Sequence, residues 1–260
     1  MKKIIFSLLQ DYRRYLEGRY SPATASTYYK RICTLFEGQN VVSVADRPDF
    51  GRALERLAQI KYKNQFSQAK NALLKFCEFR KIALPADFVE RVEELEKSTR
   101  KKYRKLKPVD YADIDRKIKG IKNQKLKISF QVLTATGLRI SELAGIRFTD
   151  CTVTDEQITF GILAKGQKKE SVTINKADYP QIFQRTKELI KTTPAHKKVF
   201  YSAVYLQGKA KELGFTCHDL RRACAKLEYK KTRSKNEVKK KLRHSNIKTT
   251  NIYLKSKVEI

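Results

Sequence analysis

The sequence predicts a mainly α protein with a small antiparallel β-sheet, divided into two domains. Apolar residues recur at helical spacing over most of the 260 residues. Short runs that alternate apolar and polar residues replace this spacing between positions 151 and 174. A dense run of charges near position 100 separates the two parts.

Composition excludes several classes of protein. Hydrophobic residues make up 41% of the chain, enough for a real core, so a disordered tail or a disulfide scaffold is excluded. No apolar run approaches the roughly 20 residues of a membrane span. The five cysteines are an odd number and form no Cys-x-x-Cys pair. They indicate reduced thiols in a cytoplasmic protein and no zinc site.

The balance of charge points to a polyanionic partner. The chain has 57 Lys and Arg against 27 Asp and Glu, a formal net charge of +30. Residues 1–97 have a net charge of +6 and residues 98–260 of +24. Nucleic acid is the first candidate partner and an anionic membrane surface the second. No basic amphipathic helix with exposed large apolar residues stands out, so a membrane partner is not expected.

The first part of the chain predicts about four helices. Leu9, Tyr12 and Leu16 share one helical face, and Ser21 before Pro22 is typical of a helix N-terminus. Further helices are predicted over 50–61 and 67–80. Between positions 89 and 107 the pattern gives way to charge, which predicts a solvated linker. The predicted division is a helical domain over 1–97, a basic linker over 98–107 and a second domain over 108–260.

The second part predicts helices around a three-stranded antiparallel sheet. The strands are predicted over 151–153, 157–163 and 170–174, separated by turn-forming residues. The predicted helices cover 110–119, 123–135, the segment from Gly137 to Arg147, 178–192, 199–213, 217–230, 234–242 and 246–255.

Few residues can act as acids or bases near neutral pH, because the chain has only three histidines. His218 begins a His-x-x-Arg motif that ends at Arg221, and His244 lies nine residues before Tyr253. His196 matches no motif and is expected to be exposed. Taken singly, each histidine is more often a surface or capping residue.

The combination of motifs carries more information than any one of them. The segment T-G-L-R-I-S-E-L at 136–143 is followed by Ala-Lys-Gly at 164–166, by His218-x-x-Arg221, and by the block from His244 to Tyr253. In order and spacing, these motifs resemble the tyrosine recombinase (phage integrase, Xer-like) family. The resemblance covers about 108–255. Residues 1–90 resemble that family's core-binding domain in pattern only.

The resemblance implies cleavage of a DNA phosphodiester through a covalent intermediate. Tyr253 would be the nucleophile and would form a 3′-phosphotyrosyl link. Arg139 and Arg221 would hold the phosphate with paired N–H donors. Lys165, between two strands, would protonate the leaving 5′ oxygen, which is the family's assignment for a lysine there.

Two further roles follow from the same resemblance. His218 and His244 would hydrogen-bond the phosphate or move the proton of the nucleophile. Glu142 would support Arg139. No metal or other cofactor is needed, because arginine and lysine supply the positive charge.

Several residues also have plainer interpretations. Arg139 could simply pair with Glu142 three residues on, and a tyrosine at helical spacing after Thr250 is more often a core residue. Lys168 and Lys169 compete with Lys165, although only Lys165 precedes the glycine. Arg222 is expected to contact backbone phosphate or solvent.

The predicted function is therefore a site-specific recombinase that clamps double-stranded DNA between its two domains. The expected assembly is a tetramer on two paired sites, built from chains that can be monomeric in solution. The expected context is a mobile element or another recombination system, with integration, excision, dimer resolution and inversion all open. Two alternatives are a type IB topoisomerase-like nicking-closing enzyme and a catalytically silent DNA-binding protein of the same fold.

Overall fold

The structure, a computed structural model, describes residues 2–36, 50–100, 108–164, 168–255 and 258–259. The chain forms two compact units, Met1–Lys105 and Leu106–Ile260. We call the first the helical unit and the second the mixed unit. No helix in the described ranges is long and apolar enough to cross a membrane.

The described part of the helical unit contains five helices around one apolar core. They are α1 (Lys2–Glu17), α2 (Pro22–Leu35), α3 (Phe50–Ala58), α4 (Lys63–Arg80) and α5 (Ala86–Ser98). As the sequence predicts, Ser21 caps α2: its hydroxyl accepts a hydrogen bond from the Thr24 amide at 3.4 Å. Tyr12 and Phe76 lie fully inside this core, with their rings edge to face at 5.1 Å.

Helix α5 corrects the prediction of a linker after position 89. Phe88 and Val92 are buried four residues apart, and Leu95 packs against the same core. These three side chains form one helical stripe, so the charged residues between them can all face solvent. Lys70 of α4 pairs with Glu96 at 2.8 Å and attaches the end of α5 to the core helices. Most of the predicted linker, residues 101–107, lies outside the described residues.

The mixed unit surrounds a small sheet with helices, as the sequence predicts. Its helices are α6 (Tyr111–Lys119), α7 (Gln124–Thr136), α8 (Ile140–Gly145), α9 (Pro180–Lys191), α10 (Ala203–Glu212), α11 (Cys217–Thr232), α12 (Lys235–Lys241) and α13 (Ile247–Lys255). Its strands are β1 (Val109–Asp110), β2 (Cys151–Val153), β3 (Gln157–Ala164), β4 (Lys168–Asn175) and β5 (Val258–Glu259).

Strands β2, β3 and β4 form the predicted antiparallel sheet, in that order. Along β3, Ile158, Phe160 and Ile162 are buried while Gln157 and Leu163 are exposed, so alternate residues face the core. The buried side packs with α7, α9 and the segment around Phe200. The prediction of a mainly helical protein with a small antiparallel sheet is confirmed.

One strand pair was not predicted from the sequence. β1 and β5 pair in parallel, with Val109 opposite Val258 and Asp110 opposite Glu259. Two residues per strand are too few to produce a recognisable alternation, and their partners lie far apart in the sequence. The pair joins the start of the mixed unit to the segment that follows α13.

Candidate active site

A glycine turn between α7 and α8 positions Arg139. Gly137 ends α7 with a φ of 61°, in the left-handed region. A Cβ at this position would lie 2.5 Å from Leu242 Cδ2 and 3.0 Å from Cys224 Sγ. Glycine is therefore required both by the backbone conformation and by the close packing. Arg139 follows two residues later and is the N-cap of α8.

Arg139 is held by Glu142, one turn along α8. The Arg139 amide donates to Glu142 Oε2 at 2.7 Å, and Arg139 Nη1 donates to Oε1 at 2.6 Å. The Glu142 side chain is buried, whereas that of Arg139 is 35% exposed. Burial opposes ionisation of Glu142, but the hydrogen bonds from Arg139 and the charge of Arg243 outweigh it and lower the pKa of Glu142. Arg139 thus pairs with Glu142 and still presents part of its guanidinium to solvent.

Arg221 is buried on α11 and is oriented by the main chain. Its Nη1 donates to the carbonyl of Gly137 and its Nη2 to the carbonyl of Leu242. The residue is only 2% exposed. Burial and the neighbouring charge of Arg139 both lower the pKa of Arg221, although a guanidinium remains protonated. The two arginines therefore bring two positive charges to one place, and no described carboxylate bonds directly to Arg221.

The start of α11 positions His218. Thr216 caps the helix: its hydroxyl accepts a hydrogen bond from the Asp219 amide at 3.2 Å. The Asp219 carboxylate in turn accepts one from the Thr216 amide at 2.8 Å. Asp219 also accepts a 2.6 Å bond from Arg222. Arg222 is buried in this ion pair, so the expectation that it contacts solvent is wrong, whereas a contact with backbone phosphate stays a prediction. The sequence pattern gives no sign of this, because Arg221 and Arg222 are adjacent and equally charged.

Tyr253 and His218 meet across the site. The Tyr253 hydroxyl lies 2.8 Å from His218 Nε2, and the two rings are 5.2 Å apart. Tyr253 is buried on α13 in a small apolar cluster that includes Cys224 and Leu242. It is therefore both a core residue and a site residue. Partial loss of solvent around the ring and the charges of Arg221 and Arg222 lower the pKa of His218, which favours the neutral imidazole.

His244 also packs against Tyr253, but its ring nitrogen bonds another residue. Its ring centre is 5.0 Å from that of Tyr253, and its Nδ1 is 3.0 Å from the Thr250 hydroxyl. Burial, followed by the charges of Arg221 and Arg139, lowers the pKa of His244 to about 4. His244 is thus neutral at physiological pH. Thr250 lies one helical turn before Tyr253, a polar residue that the sequence reasoning did not single out.

A cleft of about 540 Å³ brings the site residues together. Arg139, His218, Arg221 and Tyr253 line it, and α10 contributes Gln207 and Lys211. A hydroxyl next to a neutral imidazole and two guanidiniums suits attack on a phosphate. A larger cavity of about 890 Å³ lies in the helical unit and is lined in part by Arg31, whereas the smaller cleft combines nucleophile, base and cations.

A comparison with known protein families gives a match over most of the mixed unit. Residues 109–259 match the sequence model of the phage integrase family. The chain belongs to this family. The resemblance to tyrosine recombinases is thereby confirmed. No curated protein sequence matches the chain.

Solved tyrosine recombinases share the fold of this phage integrase family member. The Tn1549 transposon integrase in complex with circular intermediate DNA is 18% identical, with a TM-score of 0.61 over 95% of this chain and 94% of that one. XerH site-specific recombinase bound to difH substrate is also 18% identical, with a TM-score of 0.61 over 88% and 76%. A lambda integrase tetramer bound to a Holliday junction is 16% identical, with a TM-score of 0.58 over 96% and 76%.

One predicted site residue, Lys165, lies outside the residues that the structure describes. The flanking positions Ala164 and Lys168 are paired across β3 and β4. Its competitors Lys168 and Lys169 are exposed. Lys169 lines a second cleft, of about 530 Å³, together with Glu142 and Glu170.

Proposed function

We propose that this protein is a site-specific DNA recombinase that cleaves and rejoins double-stranded DNA through a 3′-phosphotyrosyl intermediate and a Holliday junction. The observation that carries the proposal is the 2.8 Å contact between the Tyr253 hydroxyl and His218 Nε2, in a cleft also lined by Arg139 and Arg221. Nucleophile, proton acceptor and anion-binding cations are the three parts that this reaction needs.

In the proposed cleavage step, the Tyr253 oxygen bonds to phosphorus as the bond from phosphorus to the 5′ oxygen breaks. Neutral His218 accepts the hydroxyl proton at Nε2, and its lowered pKa keeps the imidazole in the neutral form that can accept a proton. Arg139 and Arg221 stabilise the charge that gathers on the nonbridging oxygens. Lys165 donates a proton to the leaving 5′ oxygen. Rejoining reverses these steps, with a 5′ hydroxyl attacking the phosphotyrosine.

His244 and Glu142 complete the proposed site. Neutral His244 packs against the Tyr253 ring, and its Nε2 is the nitrogen left to hydrogen-bond a phosphate oxygen once Nδ1 engages Thr250. Glu142 fixes Arg139 through two hydrogen bonds. Neither His244 nor Glu142 forms or breaks a covalent bond, so both only help to position the reacting groups.

The charge distribution supports duplex DNA as the substrate. Residues 98–260 hold a net charge of +24, which suits contacts to many phosphates. We assign 1–97 as a core-binding domain, 98–107 as a basic linker and 108–260 as the catalytic domain of a DNA clamp. Similar folds occur in proteins described as bound to difH substrate, to circular intermediate DNA and, as a tetramer, to a Holliday junction. By the same proposal, the protein acts as a tetramer on two paired DNA sites. It works in the cytoplasm, as part of a mobile element.

A nicked suicide substrate tests the chemistry. Any repeats found in the DNA that flanks the gene serve as candidate sites. A nick next to the scissile bond lets the released end diffuse away and traps the covalent adduct. We expect an adduct at Tyr253 with the native chain and none with Tyr253→Phe, which removes one hydroxyl and no charge. Tyr229→Phe is the matched control, because Tyr229 packs on the same cluster. An adduct that survives Tyr253→Phe would refute the assignment.

A second experiment separates recombination from nicking and closing. The protein is incubated with supercoiled plasmid that carries either one site or two paired sites. A recombinase exchanges strands between paired sites, and the products have new junction sequences. Relaxation without exchange would instead support the topoisomerase-like alternative. DNA binding without an adduct or relaxation would support the catalytically silent alternative.

A further inference from the structure

Arg243, the residue before His244, combines a strained backbone with a side chain that is mostly shielded from solvent. Its φ is 53°, in the left-handed region that favours glycine. Lys81 and Arg233 have the same conformation, each with a φ of 54°, and all three lie at C-terminal ends of helices. The side chains of Lys81 and Arg233 are exposed, whereas that of Arg243 is 12% exposed. Side-chain contacts therefore compensate the backbone cost at Arg243.

The Arg243 guanidinium connects two carboxylates on different elements. Its Nη2 donates to Glu142 Oε2 on α8 at 2.9 Å. Its Nε lies 3.4 Å from Glu170 Oε2 on β4, and its Nη1 donates to the Lys241 carbonyl at 3.3 Å. These contacts tie the segment before His244 to α8 and to the sheet.

The same contacts determine how much negative charge lies next to the Arg139 guanidinium. Glu142 accepts from both Arg139 and Arg243, and Glu170 pairs with Arg243. Without Arg243, Glu142 and Glu170 would lose the guanidinium that they share, although Arg221 would still add a positive charge nearby. The remaining negative charge would pull Arg139 inward and repel an approaching phosphate.

We propose that Arg243 is a positioning residue for the phosphate site. It holds Glu142 in place and, through Glu142, keeps the guanidinium of Arg139 free to bind an anion. The consequence for cleavage rests on the proposed function, whereas the ordering of the α8 turn does not. The two parts are therefore tested separately.

The test of ordering uses hydrogen–deuterium exchange of the full chain without DNA. Arg243→Gly removes the side chain and accepts the φ without strain, so the backbone turn should remain. We expect severalfold faster exchange in the peptide covering residues 138–145, where the Arg139 amide is bonded to Glu142. Arg233→Gly is the matched control: it changes the same residue type at the same φ, but on the surface. Equal exchange at 138–145 in native and Arg243→Gly chains would overturn the proposal.

The test of function uses single-turnover cleavage of the suicide substrate. Arg243→Gly should cleave on the order of tenfold to a hundredfold more slowly, as expected when a reacting group is slightly misplaced, with nearly unchanged DNA affinity. Arg243→Lys should also cleave slowly, because one ammonium group cannot contact two carboxylates in the way that a guanidinium does. Added guanidinium, compared with sodium chloride at equal ionic strength, should restore part of the Arg243→Gly rate and leave Arg233→Gly unchanged.

The outcomes separate this inference from the proposed function. A native chain that forms no adduct contradicts the recombinase assignment, while the exchange experiment still decides whether Arg243 orders α8. A native chain that cleaves, together with an Arg243→Gly chain that cleaves equally fast, overturns the positioning role alone. Equal stimulation of both glycine variants by guanidinium would also overturn it, because the effect would then be unrelated to the vacated site.

Discussion

The two units bury different kinds of side chain. In the helical unit, the buried residues of the described chain are apolar or aromatic, with Tyr12 and Cys77 as the most polar among them. The mixed unit buries polar and charged groups as well: Ser129, Thr134, Thr136, Glu142, Thr186, Thr193, Arg221, Arg222, His244 and Thr250. Burying a charge is costly unless it is paired and hydrogen-bonded.

The buried polar groups of the mixed unit fall into two kinds, those explained by packing and those that lie at the candidate site. The threonines of the mixed unit include Thr134 and Thr136, which bond carbonyls of their own helix and need no functional explanation. Arg221 lines the cleft beside Tyr253, His244 packs against the Tyr253 ring, and Glu142 bonds Arg139 at the same cleft. Concentration of paired, buried charge at one place is typical of a site whose function requires it. The helical unit has no such concentration in its described residues, so its core is explained by packing alone.

The first prediction tests which residue acts on the phosphate and which acts on the leaving 5′ oxygen. Lys165→Ala should slow cleavage of ordinary DNA by about 10²–10⁴-fold, the usual contribution of a general acid. Replacing the bridging 5′ oxygen by sulfur should largely restore this rate, because a thiolate leaves without a proton. Arg221→Ala should lose about 10²–10³-fold on both substrates, since its charge stabilises the phosphate itself.

Gel assays of single-turnover cleavage on the oxygen and sulfur substrates measure both variants. Rescue of Arg221→Ala but not of Lys165→Ala would mean that the two roles are exchanged. Rescue of neither would move the general acid to Lys168, Lys169 or a histidine.

The next effect concerns the charge excess of the mixed unit. If about six to ten phosphates are neutralised on binding, affinity should fall by about 10³–10⁵-fold between 50 and 200 mM salt. Fluorescence anisotropy with a labelled duplex measures the slope. An affinity that does not change with salt would argue for a partner other than nucleic acid.

Elements with a clear period could be predicted from the sequence, whereas elements defined by distant contacts could not. The spacing from Ile158 to Ile162 is enough to predict β3. The predicted helix over 199–213 begins instead at Ala203, because Ser202 caps it and Val199 and Phe200 enter the core before the helix begins. Helix α5 was missed because its apolar residues, such as Phe88 and Val92, are outnumbered by charged ones.

Some residues of the candidate site could likewise be predicted from the sequence, whereas contacts between distant residues could not. Motif order suffices to predict Arg139, His218, Arg221, His244 and Tyr253, and four of these line one cleft. The ion pairs of Arg243 with Glu142 and Glu170 join residues 101 and 73 positions apart, so no local pattern encodes them. Likewise, only the folded packing shows that His218 rather than His244 bonds the Tyr253 hydroxyl.

A smaller effect should appear as pH dependence of stability in the mixed unit. The pKa of His244 is about 4 in the folded chain against about 6.5 when unfolded. Between these values the unfolded chain binds a proton that the folded chain does not, so stability falls as pH decreases from 6.5 to 4. The loss is on the order of 3 kcal/mol, and His218 shifts in the same direction.

Urea unfolding at pH 7 and pH 4.5 measures this change. His244→Gln should reduce the difference between the two pH values, whereas the exposed His196→Gln should leave it as in the native chain. If His244→Gln keeps the full pH dependence, the buried imidazole is not its source.

The smallest expected effect comes from the helical unit, where a tyrosine hydroxyl has only a packing role. Tyr12 donates to the Ala72 carbonyl at 3.2 Å inside the core, and burial raises its pKa. Tyr12→Phe keeps the ring and its contacts with Phe76, and the carbonyl keeps its place in α4. The expected loss is therefore about 1 kcal/mol of unfolding free energy, the net value of one hydrogen bond.

The comparison with Tyr253→Phe makes this small effect informative. Both substitutions remove one buried hydroxyl, but only the Tyr253 hydroxyl lies beside an imidazole and two guanidiniums. Tyr12→Phe should leave the rate of adduct formation unchanged, and Tyr15→Phe, whose hydroxyl bonds Glu78 at the surface, should cost less stability still. Urea denaturation and the suicide-substrate assay together measure both quantities. A marked loss of cleavage in Tyr12→Phe would show that the helical core contributes to the reaction as well as to folding, because a hydroxyl that only packs cannot change the rate of a step it does not touch.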